Sequence, residues 1–412
     1  MYNITHNYSP FWGKGEIKMK KTLSVLLCVC LLAAMTLTAF ASFKSDAKLS
    51  FNADGKFKIM VLADVQDVYP LNDDFLIYLN EALDYAQPDL VVFDGDNIVC
   101  SGPEPYEQLL TPLTDRGIPF TFVFGNHDDE CSDYSKEEIL AQYRKFDGCL
   151  AYDADPSLHG CATHNLPILS SDGSKVAFNL WLMDSGDYEF DADGNSLGYD
   201  WVRADQIEWY KNTSAALAAE NGGELVPSLM FQHIIPMECV KSIFVKGFFP
   251  LGDATFNFHD GTYYTVLPDM RTFDGYIFEK SCPGNGTDGQ WQAIVDGGDV
   301  LGVVVGHDHV NNFVADVDGV DLIQTAGTTY HSYYNDMMQG ARIIELDEND
   351  AWNYETYNLT TSEMALKDGS GLPDAGERSK ADYTINFLFE KVFNLFVKFL
   401  QALAVELFGP VA

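Results

Sequence analysis

Two histidines two residues apart, His307 and His309, follow the apolar run Leu301-Gly302-Val303-Val304-Val305 in the stretch Gly306-His307-Asp308-His309. A buried strand that ends in a turn permitted by Gly306 can bring both imidazoles to one point. Three more apolar runs end in short clusters of similar chemistry: Ala63-Asp64-Val65-Gln66, Asp94-Gly95-Asp96-Asn97 and Gly125-Asn126-His127-Asp128. A fifth run ends at His233. Asp64, Asp96, Asn126, His233, His307 and His309 are oxygen and nitrogen donors with no thiolate among them. That set suits two divalent or trivalent transition-metal ions such as Zn, Mn or Fe. A carboxylate such as Asp96 can bridge two ions, and paired ions hold a phosphoryl group and generate hydroxide near neutral pH. His127 and Asp128 are left over beside Asn126, where a histidine can protonate a leaving alkoxide.

Each cluster has a plain structural explanation when taken singly. His233 alone reads as a core histidine, Asp64 as a helix cap and Asp94-Gly95-Asp96 as a turn. What sets them apart is their common position at the C-terminal ends of strands, the edge where open α/β sheets bind ligands. The elements that must carry them follow from periodicity. Residues 57–63, 90–93 and 120–124 read as strands, and 73–86, 106–116 and 135–146 as helices, with Ser135 and Glu138 a capping box. This alternation predicts an α/β fold with parallel pairing in the first half. Further on, 176–183 and 229–232 read as strands and 205–221 as a helix. Segments 147–172, 244–268 and 282–290 read as loops, and 321–325 and 341–346 as closing strands. Glu189, Asp191, Asp193, Asn195 and Asp200, around Gly194, read as a solvated acidic turn.

The 412 residues carry 25 Lys and Arg against 61 Asp and Glu, a formal net charge of −36. Such a chain repels polynucleotides and anionic membrane surfaces at long range, so no nucleic-acid partner is expected. Bound cations can reverse the field locally, which leaves a small phosphorylated substrate open. Lys18, Lys20 and Lys21 precede an apolar run that closes on Ala39-Phe40-Ala41, so residues 1–41 read as a cleaved signal peptide and the protein as exported. Cys100, Cys131, Cys149, Cys161, Cys239 and Cys282 contain no CxxC pair, which excludes a zinc ribbon. Residues 361–382 read as a linker. Residues 383–408 read as an apolar amphipathic helix, with membrane-surface contact, self-association and packing on the domain all open.

The motif series Asp64-Val65-Gln66, Gly95-Asp96-Asn97, Gly125-Asn126-His127-Asp128, His233 and Gly306-His307-Asp308-His309 resembles that of the calcineurin-like metallophosphoesterases. Further stretches resemble the subgroup of purple acid phosphatase 29-like and Dcr-type phosphatases. They include Asp184-Ser185-Gly186-Asp187-Tyr188, Tyr199-Asp200-Trp201-Val202 and Tyr330-His331. The resemblance implies a four-layer α/β/β/α sandwich over residues 50–360. It also implies that Asp64 and His309 hold a first metal, that Asp96 bridges, and that Asn126, His233 and His307 hold a second. His127 would be catalytic and oriented by Asp128. The expected activity is hydrolysis of phosphate monoesters by hydroxide held on the two metals. A phosphodiesterase or nucleotidase on the same fold, or a catalytically weak surface binding protein, are the alternatives. The series departs from the family pattern twice. Gln66 stands where a histidine ligand is usual, and Val99 stands where purple acid phosphatases have a tyrosine.

Overall fold

Alternate residues of the central strands face two different cores, which is what a strand covered on both sides requires. On Lys56–Leu62, Met60 and Leu62 pack with helix residues, whereas Phe57, Ile59 and Val61 pack towards a second sheet. In this computed structural model the described residues are 49–364, except 131, 247–254, 258–262, 269–272, 337 and 363. The expected signal peptide and C-terminal helix, and the linker beyond residue 364, lie outside them. No helix among the described residues is long and apolar enough to cross a membrane.

The first sheet has five strands in the order Tyr354–Thr360, Gly340–Asp347, Lys56–Leu62, Leu90–Asp94, Phe120–Val123, and the last three are parallel. Its outer face is covered by helices Asp73–Ala86, Glu104–Thr114 and Lys136–Tyr143, which bury Phe75, Leu79, Leu109, Leu113, Ile139 and Tyr143 against it. The second sheet has eight strands, with Val176–Leu182, Ser228–Phe231, Val300–Val305 and Val320–Gln324 parallel neighbours at its centre. Helices Ala204–Glu220, Met237–Ile243 and Gln290–Gly297 cover its far side, where Tyr210, Val240 and Trp291 pack on Trp181, Val303 and Val305. Between the sheets lies a third core, in which Ile59, Val61 and Val92 meet Leu182, Phe231 and Val304. The layers therefore run helices, sheet, sheet, helices. Each fully buried aliphatic or aromatic side chain in them contributes about 1.5–3 kcal/mol over leaving it exposed.

The helix Asp73–Ala86 has its expected bounds, with Asn72 accepting from Asp74 N at 2.8 Å as its cap. The Ser135–Glu138 capping box is present on a helix that stops at Tyr143, three residues short of the expected end. Two expected loops are corrected. Segment 147–172 contains the strand His164–Leu169, hidden in the sequence by Pro167. Segment 244–268 contributes Phe244–Lys246, Thr255–Asn257 and Tyr263–Pro268, which form a three-stranded antiparallel sheet too short to show a period. The acidic stretch after Asp184 is a β-hairpin, Tyr188–Phe190 paired with Ser196–Tyr199.

Candidate metal centre

Strand register brings the chemical residues together. Leu62 pairs with Phe93 and Asp94 with Val123, so the segments carrying Asp64, Asp96 and Asn126 leave the first sheet side by side. In the second sheet Phe231 pairs with Val304, and Gly306 N donates to His233 O at 3.1 Å, which sets His233 beside His307. The two edges are joined where His307 N donates to both Asp64 oxygens, at 3.2 and 3.1 Å, and Thr328 N donates to Ala63 O at 2.8 Å.

Backbone strain marks the same place. Among the described residues seven non-glycine positions have positive φ, and four of them are Asp64, Gln66, Asp96 and His307. Such conformations cost an L-residue about 1–3 kcal/mol and persist where the surroundings over-determine them, which is typical of functional sites. Two glycines are fixed by close approach. A Cβ on Gly95, at φ +86°, would lie 2.4 Å from His233 Nδ1, and one on Gly125 would lie 2.2 Å from Asp96 Oδ1.

The donor atoms converge. Ligand atoms of Asp96, His233 and His307 all lie within 4.8 Å of one another. His233 Nε2 is 3.2 Å from Asp96 Oδ2 and 3.8 Å from Asp64 Oδ1, and His309 Nε2 is 3.5 Å from Asp64 Oδ1. His233 Nδ1 donates to Asp94 O and His309 Nδ1 to Tyr333 O, each at 2.9 Å, so both rings turn Nε2 inward. This is how metal-binding imidazoles are oriented. Asn126 Nδ2 donates to the Tyr188 hydroxyl at 3.0 Å, which turns Oδ1 the other way. Asn126 Oδ1, His307 Nε2 and Gln66 Oε1 are buried with no hydrogen-bond partner. Buried polar atoms without partners cost stability, so an unpartnered His307 Nε2 beside Asp96 and His233 fits a cation site better than a closed core. The donor set of Asp96, His233 and His307 fits a cation, with Asp64 and His309 beside it.

Burial and neighbouring charge set the protonation of these groups. Burial pushes Asp64 up. Burial also pushes Asp96 up, but the charge of His233 outweighs it and holds this carboxyl below the usual range. Burial works against charge on His233, and the Asp96 carboxylate overrides it and takes His233 to about 10. His307 is pushed down to about 3, first by burial and then by the charge of His233. A cation held by His233 would have to displace the proton on that ring.

The expected pairing of Asp128 with His127 is corrected. Asp128 accepts from Gly125 N at 2.7 Å and Asp96 N at 3.0 Å through Oδ2, and from Asn97 N at 2.8 Å through Oδ1. Both of its oxygens are thus engaged in pinning the two loops together. His127 Nδ1 pairs instead with Glu130, and its backbone N donates to Asp96 Oδ1 at 2.7 Å. The His127 side chain is 35% exposed, against 0–4% for His233 and His309. Glu130 on His127, Tyr188 on Asn126, Tyr199 on His307, Tyr333 on His309 and Glu279 on Val310 N also border the centre, and spacing gives no sign of them. Tyr188 and Tyr199 lie in the subgroup stretches, but nothing in those stretches indicates what their side chains contact. His331 stands at the margin, with Nδ1 4.0 Å from Asp67. Cys100, Cys149, Cys161, Cys239 and Cys282 are free thiols, and Cys131 is outside the described residues.

The model of the calcineurin-like phosphoesterase family matches residues 57–323. The chain belongs to the calcineurin-like phosphoesterase family. Within it, this phosphoesterase is similar to the "probable inactive purple acid phosphatase 14" of Arabidopsis thaliana, 29% identical over 76% of this chain and 80% of the relative. The "probable inactive purple acid phosphatase 29" of the same plant is 28% identical over 77% and 84%. "Phosphatase DCR2" of Saccharomyces cerevisiae is 27% identical over 40% of this chain and 32% of its own length. These relatives match the subgroup that the further stretches resemble.

Proposed function

We propose that this calcineurin-like phosphoesterase is an exported, dimetal phosphatase that hydrolyses phosphate monoesters. The observation that supports the reading is the convergence of Asp96, His233 and His307 within 4.8 Å beside the unpartnered Asn126 and Gln66 oxygens. Asp64, Gln66 and His309 would hold one ion and Asn126, His233 and His307 the other, with Asp96 between them. Bound there, two Fe, Mn or Zn ions would neutralise the phosphoryl charge and supply hydroxide near neutral pH. His127, exposed and held by Glu130, would stabilise the phosphoryl oxygens and protonate the leaving oxygen. Asp128 would keep the Asp96 and Asn126 loops in register. Export rests on residues 1–41, and a membrane-surface or self-association role on residues 383–408.

Gln66 favours a second reading, a catalytically weak binding protein. An amide oxygen is a weaker ligand than imidazole and leaves the first ion more loosely held. Metal analysis of purified protein, followed by turnover of p-nitrophenyl phosphate and of its bis ester after Mn or Fe loading, separates the readings. Two ions per chain with faster monoester turnover is the expected result. Faster turnover of the bis ester makes the chain a diesterase, and two ions without turnover makes it a binding protein. Fewer than two ions per chain after loading overturns the dimetal reading.

A further inference from the structure

The hairpin Tyr188–Phe190/Ser196–Tyr199 lies against the second-ion side of the centre, and each of its two end tyrosines touches one ligand there. The Tyr188 hydroxyl accepts from Asn126 Nδ2 at 3.0 Å. The Tyr199 ring stands edge-on to His307, with centroids 4.3 Å apart and an 84° angle. The two tyrosines pair across the hairpin and stack on each other at 5.4 Å. The hairpin base is fixed from both sides. Asp187 Oδ1 meets Lys136 Nζ at 2.6 Å, on the helix that follows the Asn126 loop. Asn285 N donates to Tyr199 O at 2.7 Å, and Asn285 Nδ2 to Glu189 Oε2 at 3.0 Å.

An asparagine ligates only if its oxygen faces the ion, yet its oxygen and nitrogen are nearly the same size. A hydroxyl that accepts from the nitrogen holds the amide with its oxygen turned to the other side. Tyr188 supplies that acceptor, and Asn126 Oδ1 is buried and unpartnered on the other side. His233 and His309 are turned by backbone carbonyls, whereas His307 is packed edge-on by the rings of Tyr199, at 4.3 Å, and His233, at 5.1 Å. We infer that the hairpin is a clasp in which Tyr188 and Tyr199 are positioning residues for the second ion, the first through its hydroxyl and the second through its ring. The clasp rests on the reading of Asn126 and His307 as ligands of that ion.

The test is a titration of metal-free full chain with Co2+, followed by visible absorption and by competition with a chelator. Wild type is expected to take up two ions. Tyr188→Phe should weaken the second ion about 10–100-fold and change its spectrum, while the first ion stays as in wild type. Tyr199→Phe keeps the ring and should bind both ions as wild type, whereas Tyr199→Leu should weaken the second. Rescue by phenylalanine at 199 but not at 188 is a pattern that general destabilisation would not produce. If Tyr188→Phe binds both ions normally, or loses both together, the clasp is overturned. Fewer than two ions on wild type overturns the dimetal reading itself, and the clasp with it.

Discussion

His127 is held by Glu130, three residues along the chain, and not by its neighbour Asp128. The carboxylate on Nδ1 selects the tautomer that leaves Nε2 towards solvent and substrate. His127→Asn is therefore expected to lower turnover by about 10²-fold or more, with both ions retained. Glu130→Gln keeps a hydrogen-bonding group without the charge and should cost about tenfold in turnover. Metal analysis beside kcat checks both. A His127→Asn protein that keeps wild-type turnover removes this histidine from the reaction.

Asp128 is expected to matter for folding before chemistry. It is buried and accepts three backbone N–H groups, those of Gly125, Asp96 and Asn97. Asp128→Ala leaves all three without an acceptor in a place closed to water, at a cost of about 3 kcal/mol or more. A urea unfolding curve whose midpoint does not move would mean that the loops are held by something else.

Much of this centre is legible in the sequence because the fold places its chemistry at strand ends. Periodicity locates the first three strands and the helix Asp73–Ala86, and the polar residue after each strand is then a candidate ligand. What stays hidden is whatever depends on contacts across the chain. The family resemblance implies that Asp128 orients His127, but Asp128 reaches 32 residues back to Asp96 N. The role of Tyr188 depends on Asn126, 62 residues away, and no local pattern encodes it. Pro167 disguises a strand that its neighbours complete, and the short strands around residue 260 have no period to detect.

Gly95 is a sharper probe of the centre than most of its ligands. It sits at φ +86°, and a Cβ there would meet His233 Nδ1 at 2.4 Å, the atom that donates to Asp94 O. Gly95→Ala should therefore displace the His233 ring as well as strain the backbone, by about 1–3 kcal/mol for the φ alone. The expected outcome is loss of the second ion with the first retained, read by metal stoichiometry. Two tightly bound ions in Gly95→Ala would place His233 outside the ligand set.

The buried His164 makes acid sensitivity testable away from the metals. Its Nδ1 donates to Ala162 O at 2.6 Å, and its Nε2 lies 2.8 Å from Thr121 Oγ1, so the neutral ring is fully bonded. Burial pushes it down to about 4 from the ordinary 6.5. Above pH 6.5 neither the folded nor the unfolded chain protonates this ring, and its contribution to stability is fully present. As pH falls below 6.5 the unfolded chain takes up a proton that the folded chain refuses until about 4, so stability is lost across that window. Between pH 7 and pH 5 the loss from this one group is about 2 kcal/mol. His164→Asn keeps a donor for Ala162 O and cannot titrate, so its urea midpoint should fall less than that of wild type over the same range. If the two midpoints fall in parallel at equal metal content, His164 is not the group that sets the acid limit.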